Sequence, residues 1–321
     1  MSYWSPPPPR IARPRLVTDR RSSGGSGAFH ELPLAELHYE FSRHVKPAVT
    51  VEPGDTLVVE TEDAFSGQIR KEGDHRDRTT VPYGNPVSGP IAVAGAEPGD
   101  AVVVEVQDIE PLIGQCATYA AMLPFVNFHL GPSLEDQTRV CRIEDGRIIW
   151  SERLSIPYAP MIGCIATAPA MGSPTSFPAG DYGGNIDLRD LTVGSTIYLP
   201  VAVPEALVFV GDCHAAQGDG EFGLAALEMP GRVTLRIDLA KQRHLPGLRL
   251  ESAEEIGAVG VGRSMEEGIA AGYSRLALWL EQDYEWNRWE AYSLLTQVGR
   301  LSLGFTFNGI AAARVSKEYL A

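Results

Sequence analysis

The chain contains no run of about 18 apolar residues, so none of its 321 residues reads as part of a bilayer-spanning helix. Closely spaced cysteines are missing too. The four present, Cys116, Cys141, Cys164 and Cys213, form no C-x-x-C pair, which argues against a disulfide framework and a structural zinc knuckle. Thiols so dispersed suit a reducing compartment, and a cytoplasmic location is expected. Positive charge is short: 27 Lys and Arg face 41 Asp and Glu, a formal net charge of −14. Neither nucleic acid nor an anionic membrane is expected as a partner. Lysine is scarcest, with none before Lys46 and none between Lys71 and Lys241. The N-terminus lacks the apolar stretch of a secretory signal.

What is there begins with a tract unlike the rest. "SPPPPRIARPRLVTDRRSSGGSG" is proline-rich, then basic, then Gly/Ser-rich, and residues 1–28 hold five arginines against one aspartate. Such a composition buries too little to offset its ordering entropy, so residues 1–28 are expected to be a flexible arm. "SSGGSG" resembles a serine-amidase signature, but the lysine such a relay needs is missing. Residues 29–321 are expected to form one folded domain.

From about residue 45 to 250, short β-like runs alternate with Pro-Gly, Gly-Asp and Asn-Pro turns. "EPGDTLVVETED" (52–63) and "EPGDAVVVEVQD" (97–108) repeat one unit, a tight turn feeding a strand of β-branched residues. Asp55 and Asp100 read as turn residues; Asp63, which leads into a polar loop, is a candidate site residue. "RVTLRIDLA" alternates cleanly at Val233, Leu235, Ile237 and Leu239. After residue 260 the period becomes helical, with Met265, Ile269, Tyr273, Leu276 and Leu280 on one stripe. Capping boxes are expected at Ser264/Glu267 and Asn287/Glu290. The fold class is therefore mainly β with α, sandwich-like, with a C-terminal helical section.

The stretch that carries chemistry is "VFVGDCHAAQGDGEFG", residues 208–223. If the strand runs on through Asp212 and His214, period two puts both on one face and turns Cys213 to the other. A carboxylate and an imidazole so placed can chelate one divalent ion, zinc in the first instance, with calcium the alternative. Gly218 and Gly220 allow the following loop to fold back and return Asp219 or Glu221 to the same pocket. "GDGEFG" also matches G-x-G-x-x-G, but Pro230-Gly231 leaves no room for the long helix a dinucleotide site needs.

"GDCHAAQGDGE" closely resembles the signature of the acetamidase/formamidase family. So, in the same order, do "VEPGDTLVVETEDAFSGQI", "GNPVSGPIAVAGAEPGDAVVVEV", "PYAPMIGCIATAP", "YGGNIDLRDLTVGSTIYLPV" and "WEAYSLL". The resemblance covers nearly everything after residue 40. It implies a β-rich fold with swapped β-β-α-β units, hydrolysis of a short carboxylic amide to carboxylate and ammonia, and a divalent metal. The signature falls on Asp212, His214, Gln217, Asp219 and Glu221, the Gly-Gly-Asn-x-Asp element on Asn185 and Asp187, and an early element on Asp63, Phe65 and Gln68. Tyr182 stands where many relatives carry histidine, and Trp289-Glu290 where relatives show Glu-Asp.

On this reading Asp212 and His214 are metal ligands. Glu221, with Asp219 and Asp63, supplies catalytic carboxylates, and Glu221 is the general base. Asn185, Gln217 and Asp187 hold the small amide substrate. A homo-oligomer is expected from the family likeness. Two alternatives stay open: a thiol amidase built on Cys213, and a non-catalytic small-molecule-binding member of the family.

Overall fold

The computed structural model describes residues 27–120, 128–129 and 137–320. The expected arm lies outside the described residues as far as residue 26. Ala28, placed at its end, already bonds the fold: its N–H donates to Asp55 Oδ1 at 2.7 Å and its carbonyl accepts from Thr56 N.

β-Branched and aliphatic residues at alternate positions build two sheets. In the nine-stranded sheet Gly231–Ala240 lies between Thr56–Thr61 and Ala101–Pro111, the strands of the two repeat copies. Each repeat's turn is closed alike. Asp55 accepts from Glu52 N and Asp100 from Glu97 N, as turn-closing residues should. Beyond Ala101–Pro111 the sheet continues through Thr196–Pro200, Arg249–Glu251, Glu255–Val261 and Ile310–Ser316 to the edge strand Arg300–Leu303.

The eleven-stranded sheet holds Met161–Thr167 beside Val208–Ala216, with Gly183–Asn185 on one side and Leu227–Met229 then Gln115–Ala120 on the other. Val87–Val93 also pairs with Val208–Ala216. The two sheets face each other across one core. Leu57, Val59, Val104, Val233, Leu235 and Ile237 from the first meet Ile162, Ile165, Val208, Val210, Cys213 and Met229 from the second. Each such side chain contributes about 1.5–3 kcal/mol when fully buried. The expected mainly-β architecture with a helical C-terminal section is the one observed.

Helices α1 (Met265–Tyr284) and α2 (Arg288–Val298) lie in the C-terminal section. The N-cap half of each expected capping box forms, Ser264 accepting from Glu267 N and Asn287 from Glu290 N, while Glu267 Oε2 accepts from Arg263 N. The buried face of α1 differs from the expected stripe. Gly268, Gly272, Leu276 and Leu280 are buried, whereas Met265, Ile269 and Tyr273 are only partly so. The reason is close approach: a Cβ on Gly268 would lie 2.0 Å from the Gly309 carbonyl oxygen. The helix rests its glycines on the sheet.

Candidate active site

The alternation of side chains breaks at one point in two neighbouring strands. Val208 and Val210 face the inter-sheet core and Phe209 faces away; four residues on, Cys213 and Ala215 face that core. The change of parity falls at Asp212, whose φ of 57° is left-handed. In the adjacent strand Ile162 and Ile165 face the core while Cys164 turns outward, so parity changes at Gly163. Gly163 and Asp212 stand opposite each other and drop out of the ladder, and the Gly163 carbonyl accepts instead from Ile186 N and Asp187 N at 3.0 and 3.1 Å. Without this break Asp212 and His214 would point with Val210 into hydrocarbon. With it they emerge on the outer face.

There they meet three more carboxylates. Asp187 arrives on the residue pair after Gly183–Asn185; Glu228 sits directly across the ladder from His214; Glu221 returns on the 219–221 turn. None of Asp187, Asp212, His214, Glu221 or Glu228 exceeds 7% exposure. His214 Nε2 lies 3.1 Å from Glu228 Oε2, 3.5 Å from Asp212 Oδ1 and 3.9 Å from Asp187 Oδ1. Yet none of these four atoms makes a hydrogen bond. Ligand atoms of Asp187, Asp212 and His214, and of His214, Glu221 and Glu228, converge within 4.8 Å. Burial of uncompensated polar groups costs several kcal/mol each, so a cluster so orphaned calls for a cation or protons.

Electrostatics agree. Burial, then Glu221 and Asp212, hold the Asp187 carboxyl well above its ordinary range. Burial and the Asp212 charge raise Glu221, against the pull of His214. Burial with Asp212 and Glu221 pushes Glu228 up to about 8. Burial opposes a charge on His214, but Glu228 and Asp212 outweigh it and raise the imidazole well above its usual value.

Around this core, neutral amides fix geometry. Gln217 Oε1 meets His214 Nδ1 at 2.8 Å and its Nε2 donates to the Asp187 carbonyl at 2.6 Å. Asn185 Nδ2 donates to Asp187 Oδ2 at 2.7 Å, and Asn85 Nδ2 donates to Asn185 Oδ1 and Asp212 Oδ2. Asn185 and Gln217, expected on the substrate, both carry internal partners.

Two expected carboxylates stand apart. Asp219 is exposed and pairs with Arg189 at 3.3 Å. Asp63 is buried, pairs with Arg70, and accepts from Phe65 N and Gly67 N at 2.9 and 3.0 Å. Cys213 Sγ points into the inter-sheet core, 3.4 Å from Thr61 Oγ1, and burial pushes its thiol up to about 11, so it offers the cluster no thiolate. Tyr182 packs on Phe41 among apolar side chains of the outer face and joins none of the cluster's contacts.

Glu228, Asn85 and Gly163 were not foreseen. Glu228 left a trace: a lone carboxylate alternating with Leu227 and Met229, whose buried neighbours imply that it too is enclosed. A Cβ on Gly163 would lie 2.5 Å from Asp187 Oδ1 and 2.9 Å from Asp212 Oδ2. Only glycine leaves the two carboxylates their place.

This constellation occurs in a chain whose residues 33–173 and 162–254 match the profile of the Acetamidase/Formamidase family. The chain belongs to that family. An acetamidase structure from Yersinia enterocolitica superposes with a TM-score of 0.85 at 33% identity, covering 93% of this chain and 94% of that one. Among curated relatives, a formamidase of Methylophilus methylotrophus is 27% identical over 271 residues, covering 64% of each chain. An acetamidase of Mycolicibacterium smegmatis is 27% identical over 270 residues, covering 64% of this chain and 66% of its own. The match thus spans slightly less than two thirds of these curated relatives.

Proposed function

We propose that the chain hydrolyses a short carboxylic amide to carboxylate and ammonia at the His214 cluster. The observation that carries the reading is the convergence of four buried, unbonded atoms: Asp187 Oδ1, Asp212 Oδ1, His214 Nε2 and Glu228 Oε2. The donor set fits a divalent cation. Carboxylate oxygens with one imidazole nitrogen suit zinc, and the excess of carboxylate keeps calcium as the alternative. Asp187, Asp212, His214 and Glu228 would hold it. Such an ion polarises a carbonyl and lowers the pKa of a contacting water from 15.7 to about 7.

The remaining work belongs to this chain's own groups. Glu221 is tethered by Oε1 to the Ala226 N–H at 2.8 Å, which orients its carboxyl. Its raised pKa suits it to take the proton of an attacking water and pass it to the departing nitrogen, worth about 10²–10⁴-fold. Gln217 holds the imidazole in one tautomer, and Asn185 with Asn85 aims the Asp187 and Asp212 carboxylates. Asp219 and Asp63 take no step in this scheme.

Ammonia release from formamide, acetamide and longer amides, with elemental analysis of the same sample, tests the proposal. Glu221→Gln is expected to lose at least about 10²-fold in kcat while melting as the wild type does. No ammonia from any amide would overturn the hydrolytic reading. Full activity with chelator and no stoichiometric divalent ion would overturn the cation's part alone.

A further inference from the structure

On the same face of the eleven-stranded sheet as the cluster, though lined by none of its residues, lies a cavity of about 180 Å³ bounded by Ile69, His75, Arg76, Arg78, Tyr119, Gln137 and Thr138. Its link to the site is a row of paired residues. His214 pairs with Glu228, Glu228 with Ala117, and Tyr119 follows Ala117 by two positions on the same face, about 7 Å along the strand. Tyr119 feels both ends: Arg76 and Arg78 on one side, Glu228 and Glu221 on the other.

Among the described residues, the two arginines at this cavity have no acidic partner, in a chain of net charge −14. Arg76 Nε is buried without a hydrogen-bond partner, and its Nη2 donates to the Tyr83 carbonyl, a neutral group. Arg78 faces Arg76 as a like charge, and neither makes an ion pair among the described residues. Among the described residues, two acids that bear on the pair have partners of their own. Asp77, between them in sequence, turns its Oδ1 to the N–H and hydroxyl of Thr79. Asp63 is taken by Arg70. Two guanidiniums left in this state, one partly enclosed, present a fork of N–H donors that matches a carboxylate. A neutral amide has no use for them.

We infer that this cavity receives the far carboxylate of the substrate, so that the preferred amide is a short-chain amide bearing an anionic end, such as the monoamide of a small dicarboxylic acid. The inference rests on the hydrolytic reading above and narrows it. The amide end lies at the acidic cluster and the carboxylate end between Arg76 and Arg78.

The test compares the monoamide of butanedioic acid with butanamide and pentanamide, neutral chains of similar length. Wild-type kcat/KM is expected to favour the monoamide by about tenfold or more, the scale of a charge-assisted hydrogen bond. Arg78→Gln, at an exposed position, is expected to collapse that ratio, and Arg78→Lys to restore part of it. Hydrolysis of the neutral amides with no preference for the monoamide, or a preference that Arg78→Gln leaves intact, overturns the inference and leaves amide hydrolysis standing. Calorimetric binding of butanedioate reads the cavity independently of turnover. The wild type is expected to bind about tenfold tighter than Arg78→Gln, and equal affinity or no binding overturns the inference whatever the fate of the hydrolytic reading.

Discussion

His214 Nδ1 lies 2.8 Å from Gln217 Oε1, while the nitrogen of that same amide donates to the Asp187 carbonyl at 2.6 Å. With its NH₂ committed, Gln217 offers the imidazole only an acceptor, so Nδ1 carries the ring proton. In the neutral ring the lone pair then sits on Nε2, the atom facing Asp187, Asp212 and Glu228. One side chain thus sets the tautomer and ties the His214 strand to the Asp187 segment.

Gln217→Leu is therefore expected to lower cation affinity and turnover by about 10–100-fold, as outer-shell changes at metal sites do. Gln217→Glu, which keeps an acceptor, should recover part of the cation affinity. Metal titration alongside ammonia release checks both. Cation affinity and rate unchanged in Gln217→Leu would show that the contact orients nothing.

Gly163→Ala probes the other support. Its Cβ would meet Asp187 Oδ1 at 2.5 Å and the Asp212 carbonyl oxygen at 2.8 Å, and the second contact is backbone that cannot swing aside. A loss of about 1–3 kcal/mol is expected from the overpacking. Cation content should fall with it, because both carboxylates must move. Denaturant unfolding and elemental analysis of one preparation measure the two effects together.

The contrast between Asp212 and Glu228 shows how far the sequence was legible. "GDCHAAQGDGE" crowds acids and an imidazole after an apolar strand, so Asp212 and His214 stand out by residue type. That they share a face opposite Cys213 follows from local period two. Which face it is does not, because parity changes where Gly163 opposes Asp212, a pairing between segments about fifty residues apart. Glu228 enters only through its cross-strand position against His214, and one carboxylate in "LEMPG" carries no local excess of charge. Asp219 and Glu221 looked equivalent from the loop glycines, but the 219–221 turn buries Glu221 and leaves Asp219 with Arg189 in solvent. The two repeat turns are legible because Pro-Gly-Asp acts within four residues.

Those turns give a pH prediction. Burial alone would raise the Asp100 pKa, but Lys241 Nζ, the Gln242 N–H and the Glu97 N–H, all bonded to its carboxylate, outweigh burial and lower it below 3.8. A carboxylate depressed on folding adds stability that is fully present above its unfolded pKa and lost as pH falls through its folded one. Asp100→Asn is expected to cost about 1–3 kcal/mol near pH 7. Below about pH 3.8 the gap to the wild type should close as the wild-type carboxyl takes up its proton. Urea unfolding of both proteins over a pH series measures it, and a gap independent of pH would assign the loss to shape, not charge.

Gly268 in α1 decides between two opposed effects. In an exposed helix interior, glycine to alanine stabilises by about 0.5–1 kcal/mol through backbone entropy. At position 268 the added Cβ would lie 2.0 Å from the Gly309 carbonyl oxygen and 2.9 Å from its carbon, inside van der Waals contact with backbone. Relief requires α1 to lift from Glu255–Val261 and Ile310–Ser316, opening the packing of Leu276 and Leu280 on Ala258 and Val315. Overpacking of that kind costs about 1–3 kcal/mol and exceeds the entropic gain. Gly268→Ala should therefore melt below the wild type even as intrinsic helix propensity rises, whereas Ala270→Gly, at an exposed position two residues on and around the helix from the contact, should cost only the propensity term of about 1 kcal/mol. Equal or higher stability of Gly268→Ala in denaturant would show that the helix does not rest on its glycines.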